Sequence, residues 1–386
     1  MIITDTHHLE TVCQRFATFP YMTIDTEFIR EKTFYPEVCL IQIASPEEAF
    51  CVDPLASEIN LQPLFDLLQN KNVVKVFHAA SQDLEILYHL TGNIPTPIFD
   101  TQIGAMACGY GENVSYQQLV KSIVKVDLDK SMRCTNWGKR PLTERQIEYA
   151  LCDVTHLRNI YLQLKNDLSQ LNRESWIEEE LQELNDISTY AHSPDKLLQK
   201  TNFFNFKGVN LAIFQQLIIY RDKVARIRNK PRRHLIKDDL VQELAAIAPT
   251  TPEQLKTLRN TTNGFEKSSM AGECLQIITT ALETNSKPVF VPANNKALTS
   301  AQKNLVEILK LALQLIALNE SVAPSLIAST SDLERFAQNH SCSFDKGWRF
   351  DVFGQKALQI KNGESCLMYH PRSKKVKLLN ISELKV

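Results

Sequence analysis

Tyr21-Met-Thr-Ile-Asp-Thr-Glu-Phe28 is followed closely by Val38-Cys-Leu-Ile-Gln-Ile-Ala44 and Ala49-Phe-Cys-Val52. All three runs are rich in β-branched and aromatic residues, the composition of strands. The gaps between them are too short for crossover helices, so the runs are predicted to pair as an antiparallel meander. Downstream the rhythm changes. Leu61–Gln69 reads as a helix, Val73–Phe77 as a strand, Ser81–Leu90 as a helix, and Ile98–Phe99 as the start of another strand. A βαβα order implies parallel pairing. Meander and βαβα together predict a mixed sheet covered by helices, an α/β domain.

From Thr143 to Leu164, residues Ile147, Ala150, Leu151, Val154, Leu157 and Ile160 recur at helical spacing. Thr143 is a natural N-cap, and Gln146 three residues later completes a capping box. Beyond about residue 165 strand signals thin out. Trp176–Tyr190 is acidic and helical, Leu211–Arg228, Asp238–Ala248 and Pro252–Thr257 read as helices, and a last helical block opens at Ser300. One α/β domain followed by two small all-α bundles is the expected architecture.

Composition removes several function classes. The chain has 386 residues, with 43 basic against 44 acidic side chains, so it has no whole-molecule attraction to nucleic acid. Basic residues are concentrated instead between Arg221 and Arg233, where Arg221, Lys223, Arg226, Arg228, Lys230, Arg232 and Arg233 face a single acid, Asp222. No apolar run approaches the ~18 residues of a membrane span. The start, MIITDTHHLE, lacks a basic segment followed by an apolar core, and the 9 cysteines form no C-x-x-C, so a cytoplasmic protein without a disulfide framework or zinc ribbon is expected. No phosphate-binding G-x-x-x-x-G-K-[ST] motif is present, so no ATP-driven activity is expected.

Three segments carry chemistry. In Ile24-Asp25-Thr26-Glu27-Phe28 the two acids share one face of a strand. In Phe77-His78-Ala-Ala-Ser-Gln-Asp83 a strand ends and a helix begins, the place where α/β sheets bind ligands. In Tyr149-Ala-Leu-Cys-Asp153 a phenol and a carboxylate share one helical face. Singly, each has a structural reading: a polar strand face, an N-terminal helix acid, a solvated helix face. Jointly, they bring four carboxylates to one edge of the sheet. Two such groups ~4 Å apart repel by about 4 kcal/mol at an effective dielectric near 20. A divalent cation removes that repulsion, and a ligand set made only of carboxylates favours Mg²⁺ or Mn²⁺.

Asp25-Thr-Glu27-Phe28, His78…Asp83 and Tyr149-x-x-x-Asp153, in this order, resemble the three motifs of the DEDD 3′→5′ exonucleases, tyrosine subgroup. Tyr35-Pro36, Leu40-Ile-Gln42, Asp100-Thr-Gln102, Leu128-Asp-Lys130 and Trp137-Gly-Lys-Arg140-Pro-Leu142 resemble the ribonuclease D family in particular. The resemblance implies a ribonuclease H-like domain over residues 1–170 and two divalent metal ions. Asp25, Glu27 and Asp153 would hold one ion, Asp25 would bridge to the second, and Asp83 would complete that second site. Tyr149 would orient the attacking water, since a phenol with a pKa near 10 is a poor general base. The product would be 5′-mononucleotides from an RNA 3′ end, with transfer RNA precursors as the expected substrate. His78, Trp137 and Arg140 are candidate substrate contacts. Asp100 is given a structural, hydrogen-bonding part.

Tyr220-Arg221-x-x-x-Ala225-Arg226-x-x-Asn229-x-Pro231-Arg232 is similar to HRDC domains. The implied layout is a helical linker over 171–204, a first HRDC domain over 205–286 and a second, divergent one over 296–386, ending after Gly347-Trp-Arg-Phe350. Arg226, Arg228, Lys230 and Arg232 are its candidate phosphate contacts. The expected partner is RNA with a free 3′ end, bound by a monomer. A DNA-directed exonuclease and an inactive RNA-binding module are the alternatives.

Overall fold

Six strands build one mixed sheet. The computed structural model describes residues 1–129, 131–133, 135–203, 206–261, 264–291 and 297–383. Lys130 of one quoted segment and the domain junctions expected at 204/205 and 296 lie outside them. The meander is β2 (Tyr21–Ile29), β3 (Glu37–Ala44) and β4 (Ala49–Val52), antiparallel throughout. Parallel to β2 run β5 (Val74–Phe77) and then β6 (Ile98–Asp100). The first strand, β1 (Ile2–Ile3), pairs with β4 and is too short to show a sequence period.

Strand alternation sorts the sheet's side chains onto two faces. Met22, Ile24, Ile41, Ile43, Phe50 and Phe77 bury one face in a cluster with α1 (Thr6–Phe16), α2 (Gln62–Leu68) and α3 (Ser81–Thr91). Tyr21, Val76 and Phe99 bury the other face, beneath α4 (Thr101–Ala107) and α6 (Glu144–Gln170). A short helix, α5 (Tyr116–Leu119), lies between those two in the chain. Pairing of β2 with β5 stops at Thr23 and Val76, while β2 runs on to Ile29 beside β3 alone. Asp25 and Glu27 therefore project past the carboxyl end of β5.

The helical half begins with α7 (Glu174–Asn185), α8 (Ile187–Tyr190) and α9 (Pro194–Gln199). A first module then comprises α10 (Gly208–Ile227), α11 (Arg232–Leu235), α12 (Asp238–Ile247), α13 (Pro252–Lys256) and α14 (Ser269–Glu283). Its buried residues, among them Phe214, Leu217, Leu244 and Ile278, form a cluster of their own that also takes in Leu198 of α9. The C-terminal region comprises α15 (Ser300–Glu320), α16 (Pro324–Ile327), α17 (Thr330–Ala337), α18 (Gly347–Arg349) and α19 (Gln355–Lys361). It differs from the all-helical expectation at its end, where β7 (Ser365–His370) and β8 (Lys375–Asn380) pair as a hairpin. The core of this region is continuous with the nuclease sheet: Leu309, Ile316, Phe344 and Phe353 belong to the same buried cluster as Val76, Phe99 and Leu157.

Candidate active site

Strand β2 and helix α6 supply the acids. The start of α6 is set by the expected capping box: Thr143 Oγ1 accepts the Gln146 N–H at 3.3 Å, and Gln146 Oε1 accepts the Thr143 N–H at 3.0 Å. Two further bonds clamp the helix where the site lies. Thr23 Oγ1 donates to the Val154 carbonyl at 2.8 Å, tying α6 to β2. The Tyr116 hydroxyl donates to the Cys152 carbonyl, also at 2.8 Å. Asp153 is thus gripped on either side, and its position relative to Asp25 is fixed by the fold rather than by the acids themselves.

Asp25, Glu27 and Asp153 each place a carboxylate oxygen within 4.8 Å of the others'. Burial pushes Asp25 well above the ordinary carboxylate range, and the Asp153 charge adds to it. Glu27 is pushed up to about 9 by burial and then by Asp25, Asp153 and Asp83. Asp153 also rises through burial, opposed by a hydrogen bond from Tyr149. Three acids that resist ionising together, with no cationic side chain among them, form a donor set suited to a hard divalent cation. The Tyr149 phenol is itself driven further up, by burial first and then by Asp153, Glu27 and Asp25. It stays protonated and donates to Asp153.

Asp83 stands apart from that trio. It is buried in the first turn of α3 and accepts from Thr26 Oγ1 at 2.5 Å. Thr26 alternates with Asp25 and Glu27 along β2, so its hydroxyl turns toward α3 rather than toward the trio. Asp83 still reaches the site electrostatically, since the Asp25 charge helps to hold its carboxyl protonated after the larger effect of burial. The turn that delivers Asp83 is built by Asp100, whose carboxylate accepts the Ala79 N–H at 3.0 Å, the Ala80 N–H at 2.8 Å and the Gln102 N–H at 2.7 Å. Ala79 sits at φ 56, a left-handed conformation that these bonds secure.

A pocket of about 560 Å³ opens onto the acids, lined by Asp25, Tyr149 and Asp153 together with His78, Tyr116, Arg133 and Arg145. His78 Nδ1 lies 3.0 Å from Thr101 Oγ1, and the ring packs 5.6 Å from that of Tyr116. Sequence reasoning missed Tyr116, Arg133 and Arg145. For Arg145 a signal existed: Arg145, Glu148, Tyr149, Cys152 and Asp153 form one stripe of α6 at helical spacing.

Two expected substrate contacts are placed otherwise. Trp137 is buried in a cluster with Cys39, Leu40, Cys51 and Ala150. Arg140 donates twice to Asp53, at 2.6 Å each, and to the carbonyls of Cys39 and Trp137. The guanidinium binds the 137–142 segment to the edge of the meander, so its donors serve the fold. In the first helical module Arg226 and Arg232 both pair with Asp222, at 3.0 and 2.5 Å. Arg228 and Lys230 are exposed and form no ion pair among the described residues. Arg232 borders a separate cleft of about 1230 Å³ with Arg30, Glu85 and His192.

Residues 1–169 match the family described as 3′-5′ exonuclease, and residues 210–268 match the HRDC domain. Ribonuclease D of Nitrobacter hamburgensis is 41% identical over 371 residues, covering 95% of this chain and 96% of that one. Ribonuclease D of Bartonella henselae is 40% identical over 366 residues, covering 94% and 90%. The crystal structure of Escherichia coli RNase D, described as an exoribonuclease involved in structured RNA processing, superimposes with a TM-score of 0.80 at 25% identity, covering 94% of this chain and 98% of that one.

Proposed function

This chain belongs to the ribonuclease D family of 3′→5′ exoribonucleases, and from that premise we propose that the site on β2 and α6 hydrolyses the terminal phosphodiester of RNA. The observation that carries the assignment is the Asp25–Glu27–Asp153 trio with the protonated Tyr149 beside it. The donor set fits Mg²⁺ or Mn²⁺: Asp25, Glu27 and Asp153 would hold one ion, and Asp25 with Asp83 a second. Bound cations neutralise the acids and stabilise the charge that develops on the attacking and leaving oxygens.

The chain's own residues do the rest. Tyr149 gives its proton to the Asp153 carboxylate in a hydrogen bond, which leaves the phenol oxygen free to accept from a water and orient it. The water oxygen bonds to phosphorus, the P–O3′ bond breaks, and the departing 3′-oxygen takes a proton. The products are a 5′-mononucleotide and an RNA shortened by one residue. Arg133 and Arg145 supply positive charge at the pocket for the phosphates. The natural substrates are transfer RNA precursors and other small structured RNAs, processed in the cytoplasm by a monomer. No helix among the described residues is long and apolar enough to cross a membrane.

The test is incubation of a 5′-labelled RNA and a DNA of the same sequence with Mg²⁺ or Mn²⁺. Stepwise 3′ shortening with release of 5′-mononucleotides, preference for RNA, and loss of activity in Asp25→Asn are expected. Activity surviving Asp25→Asn sinks the metal assignment, and equal rates on DNA sink the RNA preference. A transfer RNA precursor with a 3′ trailer, compared with an unstructured RNA of equal length, tests the substrate class.

A further inference from the structure

Gln42 is the most anomalous polar side chain near the site. It is fully buried in the middle of β3, and among the described residues neither its Oε1 nor its Nε2 has a hydrogen-bond partner. Buried amides are ordinarily satisfied, because an unmade hydrogen bond inside a protein forfeits hydration without replacement. The register shows what Gln42 faces. It stands directly opposite Asp25 on β2 and Cys51 on β4. Paired residues of neighbouring antiparallel strands share a face, with Cβ atoms about 4.5–5.5 Å apart. Along its own strand the flanking residues on that face are Leu40 and Ala44, both apolar and buried. Asp25 is the strong acceptor directly opposite it, and Glu27 stands on the diagonal, one pair further along β2.

We propose that Gln42 is a positioning residue for Asp25: its amide N–H donates to the Asp25 carboxylate and holds that carboxylate in the orientation that grips a divalent cation. Carboxylates that bind metals are commonly oriented by an outer hydrogen bond, and removing it weakens metal affinity by about 10–100-fold. The inference rests on the metal-binding reading above and adds to it a residue outside the DEDD-Tyr set. An amide without a partner in the metal-free fold contributes nothing there, so its effect is confined to the metal-bound form.

That confinement makes the test two-sided. The full-length Gln42→Met variant keeps the side-chain volume and deletes the amide. Binding of Mn²⁺ is measured by calorimetry, and thermal unfolding is followed with chelator present. The expected result is Mn²⁺ affinity lowered by about 10–100-fold, a metal-free Tm unchanged or raised, and activity that returns at elevated Mn²⁺. Gln42→Leu should behave alike. Unaltered Mn²⁺ affinity in Gln42→Met overturns the proposal. So does a lowered metal-free Tm, or failure of both variants to fold, because either shows the amide supporting the metal-free fold. If the parent chain binds no Mn²⁺, the metal reading itself falls, an outcome distinct from a variant that binds as the parent does.

Discussion

The two helical regions that follow the nuclease sheet are attached to it by different physics. The C-terminal region, α15 to β8, has no core separate from the nuclease. Trp348 stacks on Trp176 at 4.3 Å, Arg173 donates to the carbonyls of Ala107, Glu320 and Ser321, and the Ala323 N–H bonds the Met106 carbonyl at 2.9 Å. Gly109, at φ 80, approaches so closely that a Cβ would lie 2.6 Å from the Ser321 carbonyl oxygen. The first module, α10 to α14, keeps its apolar residues to itself and α9 and meets the nuclease through polar groups. Asn229 Oδ1 accepts the N–H groups of Phe34 and Tyr35 at 3.0 and 3.1 Å, and the Arg232 guanidinium lies over the Phe34 ring. Apolar surface fuses one region to the catalytic domain, whereas directional bonds dock the other. The second kind of contact can be undone without exposing a core.

The sharpest way to break this contrast is Phe344→Ala. Phe344 is fully buried between Phe336 and Phe353 in the shared cluster. Truncation should lower stability by about 3–5 kcal/mol, and thermal unfolding should show nuclease and C-terminal region losing structure in one transition. Separate transitions would end the claim of fusion. The partner experiment is Leu244→Ala in the first module, expected to destabilise by about 2–5 kcal/mol. Hydrogen exchange should accelerate within residues 208–283 while the sheet keeps its protection.

Metal binding sharpens the same division. At 100 times its dissociation constant, Mn²⁺ should stabilise the nuclease and C-terminal transition by about 2.7 kcal/mol and leave the first module's unchanged. The pH dependence has a definite sign. Glu27 is raised from 4.5 to about 9, so between those values the metal-free folded state holds a proton that the unfolded chain has released. Stability from this group is intact below pH 4.5 and is lost as pH climbs to about 9. A chelator-treated sample whose Tm rises over that range would contradict the burial of the acids. The smallest effect concerns the dock. Asn229→Ala removes the acceptor of two N–H groups and should weaken docking by about 1–3 kcal/mol, seen as faster exchange at Phe34 and Tyr35 with Tm of the sheet unmoved.

Much of the site was readable in one dimension. Asp25 and Glu27 are two apart on a strand and Tyr149 and Asp153 four apart on a helix, so which side chains share a face follows from period alone. The Thr143–Gln146 box announced where α6 begins. Arg140 and Trp137 misled for a physical reason: a guanidinium beside a tryptophan suits stacking on a nucleic acid and suits a buried ion pair equally, and only the nearness of Asp53, 87 residues away in sequence, separates the two. The basic run around Arg226 is likewise divided only by the fold: Asp222 engages Arg226 and Arg232, while Arg228 and Lys230 stay exposed.

The order and spacing of residues were enough to establish the mixed sheet, the acidic trio's members and the family, because those depend on local periodicity and motif. Packing alone established that Asp83 accepts from Thr26, that Gln42 faces Asp25 with no hydrogen-bond partner among the described residues, and that the last helices share the nuclease core. Each of these is a meeting of segments far apart in the chain. Such meetings are determined by strand register and by which apolar faces find one another, and neither quantity is written in any single stretch of sequence.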